Sequence, residues 1–500
     1  MNIRTTDQRI PSRTRPGIGQ LSAPYADAVL GHAGRDWLRL NVPGHAAAPG
    51  SDLAGFLGPR ITALDFPPLL DGIDLGPDTP LDRALSLAAE AWGARRTWFL
   101  TNGASQGNQI ASMVAPVLGR TLVVQRSVHS SVIDGLVLSG MDAVFVQPSV
   151  DPEQGIAHGV TAADVAAALA RTPGAAAVYI VSPSYFGAVA DVRALADTAH
   201  AAGVPLIVDE AWGSHFGFHP DLPANALSLG ADLVTSSTHK LAGSLTQSAM
   251  LHLAEGPFAD LLEPLVDRAF RLVQSTSASA LLTASLDLAR RSLVTGADAT
   301  GGSVGAADRV RGVVRALGRF TVVSDGFHAF PDIVRADPLR IAIDTRAGGI
   351  TGHEARRRLF RDHQVMVEVA TGAAIVAVIG AGSVPDTDRF VEALHTLPSP
   401  LTTGSAGASG GMPPLPAPGA TKLTAREAFL SPAVVVAAQE AVGRISADTL
   451  AAYPPGIPNV LPGEVITAEA VRFLQRTAAA PNGHVRGALD LGVTRLRVVA

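Results

Sequence analysis

The run Leu206-Ile-Val-Asp-Glu-Ala-Trp-Gly-Ser-His-Phe-Gly217, followed by Ser236-Ser-Thr-His-Lys240, constrains this chain more than any other feature. The first part reads as an apolar strand that ends in a carboxylate. The second reads as the end of another strand, closed by a lysine beside hydroxyls and an imidazole. Asp209 and Lys240 stand 31 residues apart, room for one crossover between neighbouring parallel strands. An acid and a lysine at two strand ends suit the chemistry of pyridoxal phosphate. The lysine forms a Schiff base with the aldehyde. The carboxylate pairs with the pyridinium nitrogen and keeps it protonated, so the ring can accept electrons.

The surrounding pattern supplies the scaffold. Thr97–Leu100, Thr121–Val124, Ala143–Val146, Ala176–Val181, Leu206–Val208, Leu233–Val234 and Ala249–Leu251 are strand candidates, and helical segments alternate with several of them. Thr161 is an N-cap with Asp164 three residues on, and a helix from Asp191 stops at Gly203. Apolar strands alternating with helices predict an α/β fold, a mostly parallel sheet covered on both faces. Ligands then sit at the carboxyl ends of the strands, where Asn102, Asp209 and Lys240 fall. The predicted organisation is an irregular arm over 1–35, a large domain over 36–300, a small α+β domain over 301–397, a linker over 398–420 and a terminal domain over 421–500. The small domain is expected to hold strands Leu339–Asp344, Val365–Val369 and Ala374–Ile379, with a capping box at Thr351-Gly-His-Glu354.

Each candidate side chain has a plainer reading. A lysine after a strand is usually a solvated surface residue. Lys240 is set apart by Ser237, Thr238 and His239 before it and by its partner carboxylate. Desolvation and nearby cations would lower its pKa and leave it nucleophilic. Asp209 could be a turn aspartate. Glu210 is its rival, but successive side chains of a strand face opposite ways. Asn102-Gly-Ala-Ser-Gln-Gly107 joins a strand to a helix of Asn108–Leu118, where backbone N–H groups suit a phosphate and Ser105 and Gln106 could add donors. His129 is either structural or stacked on the cofactor ring. Glu210, His215 and His219 fit no zinc spacing, so no metal is expected.

The bulk numbers narrow the class. A net charge of −5, with 39 basic and 44 acidic side chains, argues against a nucleic-acid or membrane-surface protein. With no cysteine, disulfides, zinc–thiolate sites and a cysteine nucleophile are excluded. Met1–Gly17 has four arginines and no apolar run, which is no secretory signal, and a cytoplasmic location is expected.

These segments together resemble the Orn/Lys/Arg decarboxylase family, fold type I enzymes of the aspartate-aminotransferase-like kind. The resemblance is carried by Pro43-Gly44-His45, Asp71-Gly-Ile-Asp74, Ala91-Trp-Gly-Ala94, Thr101-Asn-Gly103, Gly135–Gly140 and Pro183-Ser-Tyr-Phe-Gly187. It continues through Asp209–Pro220, Ser237-Thr-His-Lys-Leu241, Lys422–Phe429 and Tyr453-Pro-Pro-Gly-Ile-Pro458. It implies pyridoxal phosphate on Lys240, with Asp209 as pyridinium partner and His129 on the ring. Ser105, Ser237 and His239 would hold the phosphate, and Trp212 and His215 would line the pocket. It also implies a short form without an N-terminal wing. A homodimer is expected in which Thr276, in Ser275-Thr-Ser277, reaches the neighbour's phosphate. The family's usual residues are replaced at Ala46, Ala104, Ser127 and Ser130, near the substrate.

The implied reaction is α-decarboxylation of lysine, arginine or ornithine, with Lys240 or His215 returning the proton to Cα. Alternatives are an aminotransferase, a Cα–Cβ lyase or a silent cofactor-binding homologue. A basic side chain calls for an acid at the far wall of the pocket, and Glu464 and Glu368 are the candidates.

Overall fold

The structure is a computed structural model that describes residues 19–397, 414–453, 456–480 and 483–500. Seven strands form the central sheet: β1 Arg96–Leu100, β2 Thr121–Gln125, β3 Asp142–Val146, β4 Ala175–Val181, β5 Leu206–Asp209, β6 Leu233–Ser236 and β7 Ala249–Leu253. Their order is β1-β7-β6-β5-β4-β2-β3. β3, β2, β4, β5 and β6 are parallel neighbours, and β7 runs antiparallel to both β6 and β1.

Strands β4 and β5 are apolar along their length because both faces are covered. Val178, Ile180, Leu206 and Val208 enter one core, while Ala177, Tyr179 and Ile207 enter the other, following the two-residue alternation of a strand. Register then decides the chemistry. Val181 pairs with Asp209, and Asp209 with Thr235, so the acid and the Ser237–Lys240 turn share one carboxyl edge.

A second, four-stranded antiparallel sheet joins Thr321–Val322, Arg340–Asp344, Ala374–Val378 and Val369–Ala370, covered by helices Ala297–Leu317, Gly352–His363 and Thr387–Thr396. The expected strand over Val365–Val369 shrinks to Val369–Ala370. Gln364 leaves the helix at a φ of 55°, and the Val365 N–H turns back to the Leu359 carbonyl, so these residues are spent on ending the helix. The capping box at Thr351 is half formed. Thr351 accepts from the Glu354 N–H, but the Glu354 carboxylate pairs with Arg357 and Arg358 instead.

A C-terminal unit has its own core of Leu450, Val460, Ile466, Phe473 and Leu496. At the other end, the arm expected to be irregular contains a helix, Pro24–Ala33, docked on Ala280–Thr295. Asp287 explains the docking: its carboxylate accepts from the Tyr25 and Ala26 N–H groups at 2.9 and 3.3 Å, satisfying donors at the helix start. The rest of the arm, 1–18, and linker residues 398–413 lie outside the described residues. No helix among the described residues is long and apolar enough to cross a membrane.

Candidate active site

Asp209 closes β5 and is 2% exposed. Its Oδ1 accepts from the Ala211 N–H at 3.0 Å, and its Oδ2 from the Asn108 side-chain amide at 2.7 Å. Asn108 also donates to Ser131 Oγ at 3.0 Å and accepts from the Tyr179 hydroxyl at 2.9 Å. Ser131 Oγ in turn lies 2.8 Å from His129 Nδ1. One buried network therefore joins the acid to the imidazole. The sequence placed Asn108 at the start of a helix. The helix runs instead over Gly103–Val114, which carries Asn108 into its second turn, against the sheet. Gly107 permits that approach, since a Cβ there would come within 2.6 Å of Thr235 Cγ2.

Lys240 lies in the short helix Thr238–Leu241 that follows β6. Its Nζ sits 4.0 Å from the centroid of the Trp212 ring, and the Arg340 guanidinium carbon sits 3.8 Å from the same centroid. Burial is the main force on the lysine and pulls its pKa down to about 8; Asp209 and Glu368 oppose the fall and Arg340 adds to it. Arg340 comes from the small unit and is itself buried. Its guanidinium donates to the Tyr185 carbonyl, its Nε and Nη1 have no hydrogen-bond partner among the described residues, and burial lowers its pKa to about 10. The sequence reading missed Asn108, Tyr179 and Arg340. Arg340 left a trace, a lone charge in the apolar strand Leu339-Arg-Ile-Ala-Ile.

His129 caps the helix Ser130–Ser139, its Nδ1 accepting from the Ser131 N–H at 3.2 Å. Burial lowers its pKa, and Asp209 partly offsets this, so the ring is neutral at neutral pH. Ser105 stands in the first turn of the Gly103–Val114 helix, and Ser237 precedes the Lys240 helix. His239 Nδ1 donates to the Ser248 carbonyl at 2.8 Å, and burial lowers its pKa. A contact from its Nε2 to a phosphate needs a second proton, which an arriving dianion favours. Glu210 faces away from this site. It accepts from the Ala226 N–H at 2.9 Å, and burial raises its pKa far above the usual carboxylate range.

Three expected residues are engaged with partners inside the protein. Gln106 is 1% exposed and used inside the protein: its amide donates to Gln274 at 2.7 Å and accepts from the Asn102 N–H. His215 is 0% exposed, with its Nε2 3.0 Å from Asp337 Oδ1 and its Nδ1 without a partner among the described residues. Glu464 is enclosed with Arg126: the guanidinium grips both carboxylate oxygens, one at 2.8 Å, and the Leu461 N–H adds a third bond. That carboxylate is spent on fixing the C-terminal unit to β2's exit turn. Glu368 is exposed, with its charge felt at Lys240, His239 and Arg340. Thr276 lies in an exposed turn.

The residues present fit pyridoxal phosphate. The amine is desolvated, the strand-end carboxylate is fixed on both oxygens, and the buried Thr238 Oγ1 beside Lys240 has no partner among the described residues. A buried hydroxyl of that kind needs an acceptor.

Known proteins share this architecture. The model of the Orn/Lys/Arg decarboxylase major domain matches residues 23–338, and that of the C-terminal domain matches 414–483. An arginine decarboxylase of Bacillus subtilis is 33% identical over 491 residues, covering 96% of this chain and 99% of the relative. One of Halalkalibacterium halodurans is 34% identical over 495 residues, covering 96% and 98%. The lysine decarboxylase structure from Francisella novicida superposes with a TM-score of 0.77 at 18% identity, over 96% of this chain and 81% of that one, which speaks for the fold. The chain belongs to the Orn/Lys/Arg decarboxylase family and has the fold of type I pyridoxal phosphate enzymes.

Proposed function

We propose that this protein decarboxylates L-arginine, releasing CO2 and agmatine, with pyridoxal phosphate held on Lys240. Family membership makes it a decarboxylase of basic amino acids. The choice of arginine is supported by the names of the relatives that match it end to end. The observation that carries the site assignment is geometric: the Lys240 amine lies on the Trp212 ring, at the same sheet edge as the buried strand-end carboxylate of Asp209.

The cofactor, when bound, supplies an electron sink for the pair left at Cα as CO2 departs. The chain does the rest. Asp209 holds a proton at the pyridine nitrogen, and Asn108 and the Ala211 N–H keep its carboxylate from turning. Trp212, 7% exposed, excludes water beside Lys240. Lys240 Nζ, on the face of Trp212, is the group assigned to carry a proton in the pocket. Ser105, Ser237, Thr238 and His239 would hold the phosphate, and His129, kept neutral, would cover the ring. Thr276, exposed on its own chain, is assigned to a second copy's phosphate in a homodimer.

The test is direct. The purified holoenzyme is incubated with arginine, lysine and ornithine, and CO2 and amine are measured. Agmatine and CO2 in equal amounts are expected. A keto acid or an aldehyde without CO2 would move the chain to another reaction.

A further inference from the structure

The network between Asp209 and His129 has a direction, because its donors and acceptors can be assigned from the ends inward. Asp209, 2% exposed at the end of β5, is a carboxylate, and an ionised carboxylate only accepts. Asn108 must therefore turn its NH2 group, not its carbonyl, toward Asp209 Oδ2 at 2.7 Å. Tyr179 enforces the same orientation from the other side. Burial keeps its phenol protonated, and the hydroxyl donates to Asn108 Oδ1 at 2.9 Å. The second Asn108 N–H is then committed to Ser131 Oγ at 3.0 Å. With that donor in place, Ser131 directs its own hydroxyl proton to His129 Nδ1 at 2.8 Å.

The imidazole end gives an independent check. Nδ1 also accepts from the Ser131 backbone N–H at 3.2 Å, and an amide N–H can only donate. Both contacts need a lone pair on Nδ1, so the proton of the neutral ring sits on Nε2. Nε2 has no hydrogen-bond partner among the described residues, and His129 is only partly buried. The links between the ends are shut away from solvent: Asn108 and Tyr179 are 0% exposed and Ser131 is 2% exposed. An imidazole can turn over and exchange its two nitrogens. Two donors from one residue, both gripping Nδ1, prevent that.

Resting on the decarboxylase reading, we propose that Asn108 and Ser131 are positioning residues that carry the polarity of Asp209 to His129 and hold its imidazole as the Nε2–H tautomer. The acid assigned to the ring nitrogen and the imidazole assigned to the ring face are then one device. A carboxylate at one end fixes where the proton lies at the other, three hydrogen bonds away.

The experiment reads the tautomer of His129 by 15N NMR of histidine-labelled wild type, Ser131→Ala, Ser131→Thr and Asn108→Leu, each with and without cofactor. The spectrum of His129→Gln identifies the signals by difference. Arginine kinetics of the holoenzymes are followed across pH. A bare Nδ1 and a protonated Nε2 are expected in the wild type, in both the loaded and the cofactor-free protein. Ser131→Ala keeps only the backbone contact, so the tautomer ratio should fall about five-fold, the worth of one ordinary hydrogen bond. The lost bond favoured the unprotonated ring, so the acid limb of kcat/KM should move up by about half a pH unit or more. The charges that act on the ring are Asp209, Lys240, Arg486 and Asp134, and this substitution leaves all four in place. kcat should fall by a larger factor than KM rises. Ser131→Thr keeps the hydroxyl and should restore both readouts. Asn108→Leu cuts the relay in its middle and should shift both in the same direction as Ser131→Ala. A wild-type His129 with its proton on Nδ1, or Ser131→Ala with tautomer and acid limb both unchanged, would overturn the proposal. If the wild type releases no CO2 from any basic amino acid, the decarboxylase reading falls. The cofactor-free spectra then decide the relay alone: an Nε2–H tautomer that Ser131→Ala loosens supports it, and an equal ratio in the two proteins overturns it.

Discussion

Lys240 offers a measurement that needs no substrate. Its amine is drawn from 10.5 down to about 8 by burial. At pH 7.5 a group titrating near 8 is uncharged in about one molecule in four, against about one in a thousand at 10.5, a gain of roughly two hundred-fold in reactive amine. The chain has two lysines, and Lys422 is exposed, so it serves as an internal reference. Protein freed of cofactor is acetylated with limiting anhydride between pH 6.5 and 10, and the two lysine peptides are quantified by mass spectrometry. Lys240 is expected to show a midpoint near pH 8, and Arg340→Met should move it upward by removing a neighbouring cation. The sign for stability follows. The folded pKa is below the unfolded one, so the unfolded chain holds more protons between pH 8 and 10.5, and cofactor-free protein gains stability as pH rises through that window. The gain approaches roughly 3 kcal/mol for a shift of this size. A midpoint for Lys240 at or above that of Lys422 would refute the desolvation argument.

Two further outcomes are expected. Asp209→Asn should retain the cofactor by absorbance while kcat falls about 100-fold or more, because an amide cannot keep the ring nitrogen protonated; a normal kcat would assign that role elsewhere. Glu464→Gln leaves Arg126 buried with its charge unpaired, at a cost of about 3–5 kcal/mol, so its Tm should drop by several degrees with KM for arginine unchanged, and a raised KM at constant Tm would return Glu464 to the substrate.

What could be read from sequence follows the range of the interactions. The strands are legible because each is a short apolar run, and their carboxyl ends place Asp209 and Lys240 without any knowledge of packing. The Glu210 assignment is equally local, since strand alternation alone turns it to the opposite face. Failures begin where a side chain's fate depends on a distant partner. Gln106 meets Gln274, His215 meets Asp337, and Glu464 meets Arg126. Each looks free in one dimension and has a distant partner in three. Asn108 failed differently: a five-residue error in a helix start hid the face on which it sits. Arg340 was legible only as an oddity, a charge in a core strand with no local reason to be there.

The three units are not independent suppliers of this centre. The large unit provides the amine and the acid, but the amine's proton affinity is also set from outside it. Arg340, on a small-unit strand, lowers the affinity, and Glu368, just before the edge strand Val369–Ala370 of the same sheet, raises it. The C-terminal unit acts one step further away: Arg486 donates to Ser130 Oγ at 2.9 Å, next to His129, and its charge lowers the pKa of that ring. Electrostatic interactions in a buried site fall slowly with distance compared with hydrogen bonds. Any displacement of the small unit relative to the sheet therefore changes how much uncharged amine Lys240 presents, even when every contact of Asp209 stays intact. Packing Arg340 and Lys240 against one indole keeps that dependence under control, because Trp212 fixes how far apart the two cations sit.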